Sequence, residues 1–159
     1  MLRKVLIHIR GFLTYAWYKL VYGHAFDCAG IPKMRRGLSL VIERGARIVL
    51  GKGVFFNNDC SINCRQEVCI GGDCLFGEVV RIYGHNHRFR NPDEPIASQG
   101  FRCSPVRIGN NVWVGSGVVI LKGVTIGDNV IVGAGCVVDE DIPSRTIVKR
   151  NAELALIQW

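Results

Sequence analysis

The sequence predicts an all-β chain: a parallel β-helix of short strands, with one protruding loop and a helical segment at the N-terminus. Three observations predict it. From Ile108 the chain reads in sixes, IGNNVW, VGSGVV, ILKGVT, IGDNVI, VGAGCV; the phase also runs through IGGDCL and FGEVVR from Ile70, and LGKGVF and FNNDCS from Leu50. This phase breaks once, over the 25 residues 83–107 between Ile82 and Ile108. Near the N-terminus Leu2, Val5, Leu6, Ile9, Phe12, Leu13, Ala16, Trp17 and Leu20 follow helical spacing instead.

The hexads carry the fold. In the five from Ile108 every first position is Ile or Val, every fifth is Val or Cys, and four of five second positions are Gly. A period of six is neither the 3.6 of a helix nor the strand length of an antiparallel sandwich. It suits a three-sided coil with six residues per flat side, in which aliphatic first positions stack inward from turn to turn. Gly, Asn and Asp fill the corners, where positive φ is needed. No coil buries its apolar side alone, so the repeats stabilise one another. Nine hexads correspond to about three full turns. The division expected is an N-terminal amphipathic segment over 1–27, a β-helix over 28–148 with the loop 83–107, and a tail over 149–159.

Composition sets outer bounds. A chain of 159 residues suits one domain with a real core. Its net charge of +7 favours anionic partners. The seven cysteines include no C-x2-C pair, and Cys60, Cys74 and Cys136 fall on fifth positions, where a small core residue is wanted. They read as reduced, buried thiols rather than a disulfide or zinc framework. The N-terminal segment is interrupted by His8, Arg10 and Lys19, too often for a spanning helix of ~20 apolar residues. It either packs its stripe on the body of the protein or lays it on a membrane face, with Arg3, Lys4, Arg10 and Lys19 toward headgroups.

The loop draws attention because long irregular excursions in compact domains are usually functional or disordered. It opens with IYGHNH and carries Arg88, Arg90, Arg102 and Arg107. A neutral imidazole takes a proton readily near pH 7, which makes His85 and His87 candidate general bases. Surface residues on a solvated loop are the plain alternative. Two nearby histidines do not make the three-histidine zinc site of a γ-type carbonic anhydrase, and no metal is expected.

The hexads followed by IGNNVWVGSGVVILKGVTIGDNVIVGAGCVVDEDIP resemble the left-handed β-helix acyltransferases. Over residues 45–148 they are similar to the maltose and galactoside O-acetyltransferases and their polysaccharide-modifying relatives. The resemblance implies the left hand of the coil, a homotrimer, and acetyl-CoA bound in the groove between two prisms. It implies direct acetyl transfer to a saccharide hydroxyl or a sugar carrier. N-acetylation of an amino sugar and a non-catalytic scaffold are the alternatives. In family register His87 is favoured as the base, with His85 orienting it or the acceptor. Asn58, in FFNN, matches an acceptor-positioning asparagine, and Tyr83 and Arg88 are further candidate acceptor contacts. Trp113, Gly115, Ser116 and Ala134 match the acetyl-CoA groove. The usual Thr-Lys pair is replaced by Asp139-Glu140, so Lys149 and Arg150 are expected to meet the CoA phosphates. A cytoplasmic protein, peripheral on the membrane through its N-terminal segment, is expected to need no nucleic acid.

Overall fold

The computed structural model describes residues 2–149, with side chains from Ile9 onward. Parallel strands stack on three faces. The first face holds Phe26–Cys28, Arg47–Leu50, Glu67–Ile70, Val106–Ile108 and Thr125–Ile126. The second runs from Lys33–Met34 through Phe55–Phe56, Leu75–Phe76, Trp113–Val114 and Ile131–Val132 to Ile147–Val148. The third holds Ser39–Ile42, Ser61–Cys64, Arg81–Tyr83, Val119–Ile120 and Val137–Val138. The fold is a three-sided parallel β-helix of about six turns, not the three expected from counting hexads.

The register explains the shortfall. Met34 pairs with Phe56, Phe56 with Phe76, Phe76 with Val114, Val114 with Val132, and Val132 with Val148. On this face the only step of eighteen residues is that from Val114 to Val132, within the stretch where the hexads are clean. The earlier coils are wider because several strands there are four residues long and bury two side chains each. Leu40 and Ile42, Ile48 and Leu50, Ile62 and Cys64, and Val68 and Ile70 are all buried. A period of two inserted into a period of six hides the repeat from a count in sixes.

Inward residues form one continuous core. Phe56 stacks on Phe76 with ring centroids 4.8 Å apart, and first and fifth positions of the regular hexads are buried throughout. Cys60, Cys74 and Cys136 lie in that core, and all seven thiols are unbridged. The second-position glycines have a different cause. A Cβ on Gly71 would stand 2.5 Å from the Gly109 carbonyl oxygen, and one on Gly115 would stand 2.6 Å from the Ala134 nitrogen. The next coil's backbone occupies the side-chain volume. Such glycines mark two of the three corners; at the third, Leu121 and Asp139 take the second position, and there the excursion leaves the coil.

The excursion is more ordered, and slightly shorter, than a loop over 83–107. Tyr83 lies in a strand of the third face, and Val106 and Arg107 lie in one of the first. Between them His85–His87 and Phe101–Cys103 form a two-stranded antiparallel ribbon, with His85 opposite Cys103 and His87 opposite Phe101.

The N-terminal helix, Leu2–Tyr22, lies against the first coil. Its packed face is not the aliphatic stripe. Gly11 is buried, and a Cβ there would stand 3.3 Å from the Met34 carbonyl. Tyr15, Tyr18 and Tyr22 pack on the core. Ile9, Phe12, Leu13, Trp17, Leu20 and Val21 are all at least half exposed. The reading in which the stripe packs on the body is therefore corrected: tyrosines are used because the helix covers the open edge of the first coil. That edge presents unpaired backbone groups which a hydroxyl can satisfy and an aliphatic side chain cannot.

Candidate active site

At the corner between the second and third faces, successive coils set residues in a column. Gly77 lies against Ser116, Gly115 against Ala134, and Gly133 against Val148 and Lys149. Gly115, Ser116, Ala134 and Lys149, matched to the cofactor side from sequence, are thus stacked on consecutive turns. Trp113 stands outward on the adjoining strand, 55% exposed, between Leu75 and Ile131 in register. Among the described residues the Ser116 N–H has no backbone acceptor, whereas Gly115 and Gly117 donate to Val132 and Glu78. The Ser116 hydroxyl accepts from the Glu78 N–H at 3.1 Å. Arg150 lies outside the described residues.

Asn58 belongs to the same corner, further toward the N-terminal end. Its amide donates to the Glu78 carboxylate at 2.8 Å. Within one chain it does not meet the histidines, which lie beyond the far end of the third face. Between Glu78 and the core sits Val79 with φ of 59°. A β-branched residue in the left-handed region is strained by ~1–3 kcal/mol. Equivalent corners use Asp59, Asp73, Asn111, Asn129 and Arg145, or glycine, none of them β-branched. Valine in a fourth position was a readable signal that this corner is unusual.

The histidines stand at the opposite corner. His85 opens the ribbon half-buried, in a small pocket with Val41, Glu43, Asn63, Cys64 and Arg65. Burial holds its imidazole pKa below the usual value, and the nearby Arg65 guanidinium and His87 push the same way, opposed by Glu43. Its Nδ1 is buried without a hydrogen-bond partner. His87, two residues on, is exposed and lines a larger cavity of about 510 Å³ with Arg88, Arg90, Arg102 and Lys122. Among the described residues these four cations make no ion pair. Phe101 joins the two histidines, with ring centroids 5.1 Å from His85 and 4.6 Å from His87. The Arg65 guanidinium lies 3.5 Å over the Phe101 ring and pairs with Glu43 at 2.9 Å.

Sequence reading did not single out Glu43, Asn63, Arg65 or Phe101. Only Arg65 left a trace, at the corner where the hexads lapse between Ile62 and Ile70. Tyr83 faces outward on the third face beside Asn63 in register. Among the described residues no group of three or more His, Cys, Asp or Glu side chains converges as a metal site requires.

A three-sided prism of six-residue sides, with a ribbon carrying histidines at one corner, defines a hexapeptide-repeat protein. A family model described as bacterial transferase hexapeptide (six repeats) matches residues 105–140. A maltose O-acetyltransferase from Clostridium difficile 630 is similar at 33% identity with a TM-score of 0.65, covering 84% of this chain and 70% of that one. A hexapeptide-repeat acetyltransferase of Vibrio cholerae O1 biovar eltor, solved with acetyl-coenzyme A, gives 27% identity and a TM-score of 0.69, covering 84% and 69%. Nodulation protein L of Rhizobium meliloti (strain 1021) is 46% identical over 103 residues, 64% of this chain and 54% of that protein. The chain belongs to the hexapeptide-repeat acyltransferase family. It spans about half the length of the curated relatives it matches.

Proposed function

We propose that the chain transfers an acetyl group from acetyl-CoA to a saccharide hydroxyl. The observation that carries this is the glycine-backed column of Gly115, Ser116, Ala134 and Lys149 on an outward corner, flanked by exposed Trp113, which becomes one wall of a cleft when a second copy packs against it. The acetyl-CoA complex of the Vibrio cholerae relative supports the choice of thioester. The acceptor oxygen attacks the thioester carbon while an imidazole takes its proton. The oxyanion is held by N–H donors, for which the Ser116 N–H is free. The C–S bond then breaks, and the CoA thiolate recovers the proton from the imidazolium. No covalent enzyme intermediate is needed, because the thiolate is already a good leaving group.

Both histidines stay in the site, and the base is reassigned from His87 to His85. Desolvation shifts the His85 imidazole toward its neutral form, which a base requires. His87, on the rim of the larger cavity, is left to contact the acceptor with Arg88. Four unpaired cations against one carboxylate, Glu94, around that cavity favour an acceptor bearing an anionic group, such as a sugar on a phosphate-containing carrier. The base and the cofactor column lie at different corners of one chain, so a second copy completes the site, and a homotrimer gives three such clefts. Asn58 would then reach the histidines of a neighbour.

The test is thiol release from acetyl-CoA with a panel of neutral and phosphorylated sugars. Turnover is expected only with an acceptor present, and with a preference for anionic ones. Binding of CoA without turnover on any acceptor would leave the scaffold reading in its place.

A further inference from the structure

The outer face of the N-terminal helix has no role in the site, and it does not rest on the acetyl-transfer reading. Its inner face is fully employed. The Tyr18 hydroxyl donates to the Leu38 carbonyl at 2.8 Å and accepts from the Leu40 N–H at 3.1 Å. Tyr22 donates to the Leu40 carbonyl at 3.0 Å, and Lys19 to the Phe26 carbonyl at 2.8 Å. These are backbone groups on the free edge of the first coil, so the helix closes the end of the prism. The opposite face looks away from that end. It carries Ile9, Phe12, Leu13, Trp17, Leu20 and Val21, with Leu20 80% exposed and Trp17 62%. Such a contiguous apolar stripe marks an interaction surface.

Charge decides what covers it. The first 26 residues contain no Asp or Glu, while Arg3, Lys4 and Arg10 are basic; Lys19 is already engaged by the Phe26 carbonyl. A second copy laid face to face would oppose like charges with no acidic partner from the segment. Copies assembling side by side through the faces of the prism would leave its end uncovered. Anionic headgroups above an acyl layer match both halves of the pattern: basic residues, and an apolar stripe that includes Trp and Phe. No helix among the described residues is long and apolar enough to cross a membrane, so the contact lies in the interface plane.

We infer that this helix face docks the protein flat on an anionic lipid bilayer, end-on to the prism. The experiment is vesicle co-sedimentation of the full chain, with phosphatidylglycerol–phosphatidylcholine against pure phosphatidylcholine vesicles. Binding is expected to the anionic vesicles alone, to weaken as salt rises, and to fall about tenfold in the Leu13→Glu, Trp17→Glu double variant. Both positions are solvent-exposed, and circular dichroism verifies that the variant stays folded. Arg10→Glu, which leaves the apolar stripe intact, is expected to weaken anionic binding as well. Absence of vesicle binding, equal binding to neutral vesicles, or indifference to both variants overturns the inference. Self-association that Trp17→Glu abolishes, without lipid binding, overturns it in favour of a second copy. Acetyl transfer to soluble acceptors is expected to be unchanged in both variants, so failure here is separable from failure of the proposed chemistry.

Discussion

Replacing His85 with alanine is expected to lower kcat/KM for acetyl transfer by about 10³-fold, within the range for loss of a positioned general base. His87→Ala, on the exposed rim, is expected to cost less than about tenfold, mostly in the acceptor's KM. Equal losses, or the reverse order, would return the base to His87. The pH profile gives an independent reading. An imidazole base works only when neutral, so the rate rises as pH climbs through its pKa and is flat above. Burial, with Arg65 and His87 nearby, holds the His85 pKa below that of a free imidazole. The acidic limb of kcat/KM is therefore expected below about pH 6.5, with no loss of rate as pH falls from 8 toward 7. Arg65→Gln removes a cation that lowers the pKa, so the limb is expected to move to higher pH. Folding remains intact, because the Arg65 side chain is partly exposed and its ion pair with Glu43 is a surface one.

The second large effect is on stability. Gly71→Ala is expected to destabilise the fold by about 3 kcal/mol, since the added methyl meets backbone and no flexible side chain can yield. For a chain of this size that is a fall in Tm of ~10 °C by calorimetry. Gly30→Ala is the matched control. There a Cβ finds only the Lys52 side chain at 3.7 Å, and little change is expected. A Gly71→Ala protein as stable as Gly30→Ala would mean that the coils are not in the register described.

Much of the fold was legible because the hexads encode packing directly. First and fifth positions are the buried ones, and the second-position glycine records the close approach of the next coil. Residues 28–49 were assigned to the β-helix, but their separate turns were not legible, because no hexad phase runs before Leu50. Their four-residue strands insert alternation into the repeat, as where exposed Arg47 stands between buried Ala46 and Ile48. At the site, the proposed cofactor column came from the family resemblance, and the repeat accounts for its stacking: Gly115 and Lys149 take second positions, Ser116 and Ala134 third positions. The surroundings of His85 were not legible, because Glu43, Asn63, Arg65 and Phe101 come from separate coils and the ribbon. Only three dimensions bring them together. The N-terminal stripe was seen, yet its direction was not: periodicity says that a face is apolar, and the tyrosines show which face the prism needs.

One measurement bears most directly on the site being completed by two copies. His85→Ala removes the base, and Ala134→Trp, at an exposed position, fills the cofactor cleft; each alone is expected to be inactive. Co-expressed with different tags and purified through both, mixed assemblies pair an intact cleft from one chain with an intact histidine from another. Thiol release well above either parent is the expected result. Mixed assemblies no more active than the parents, or a wild-type protein fully active as a single 17.6 kDa subunit, would contradict it.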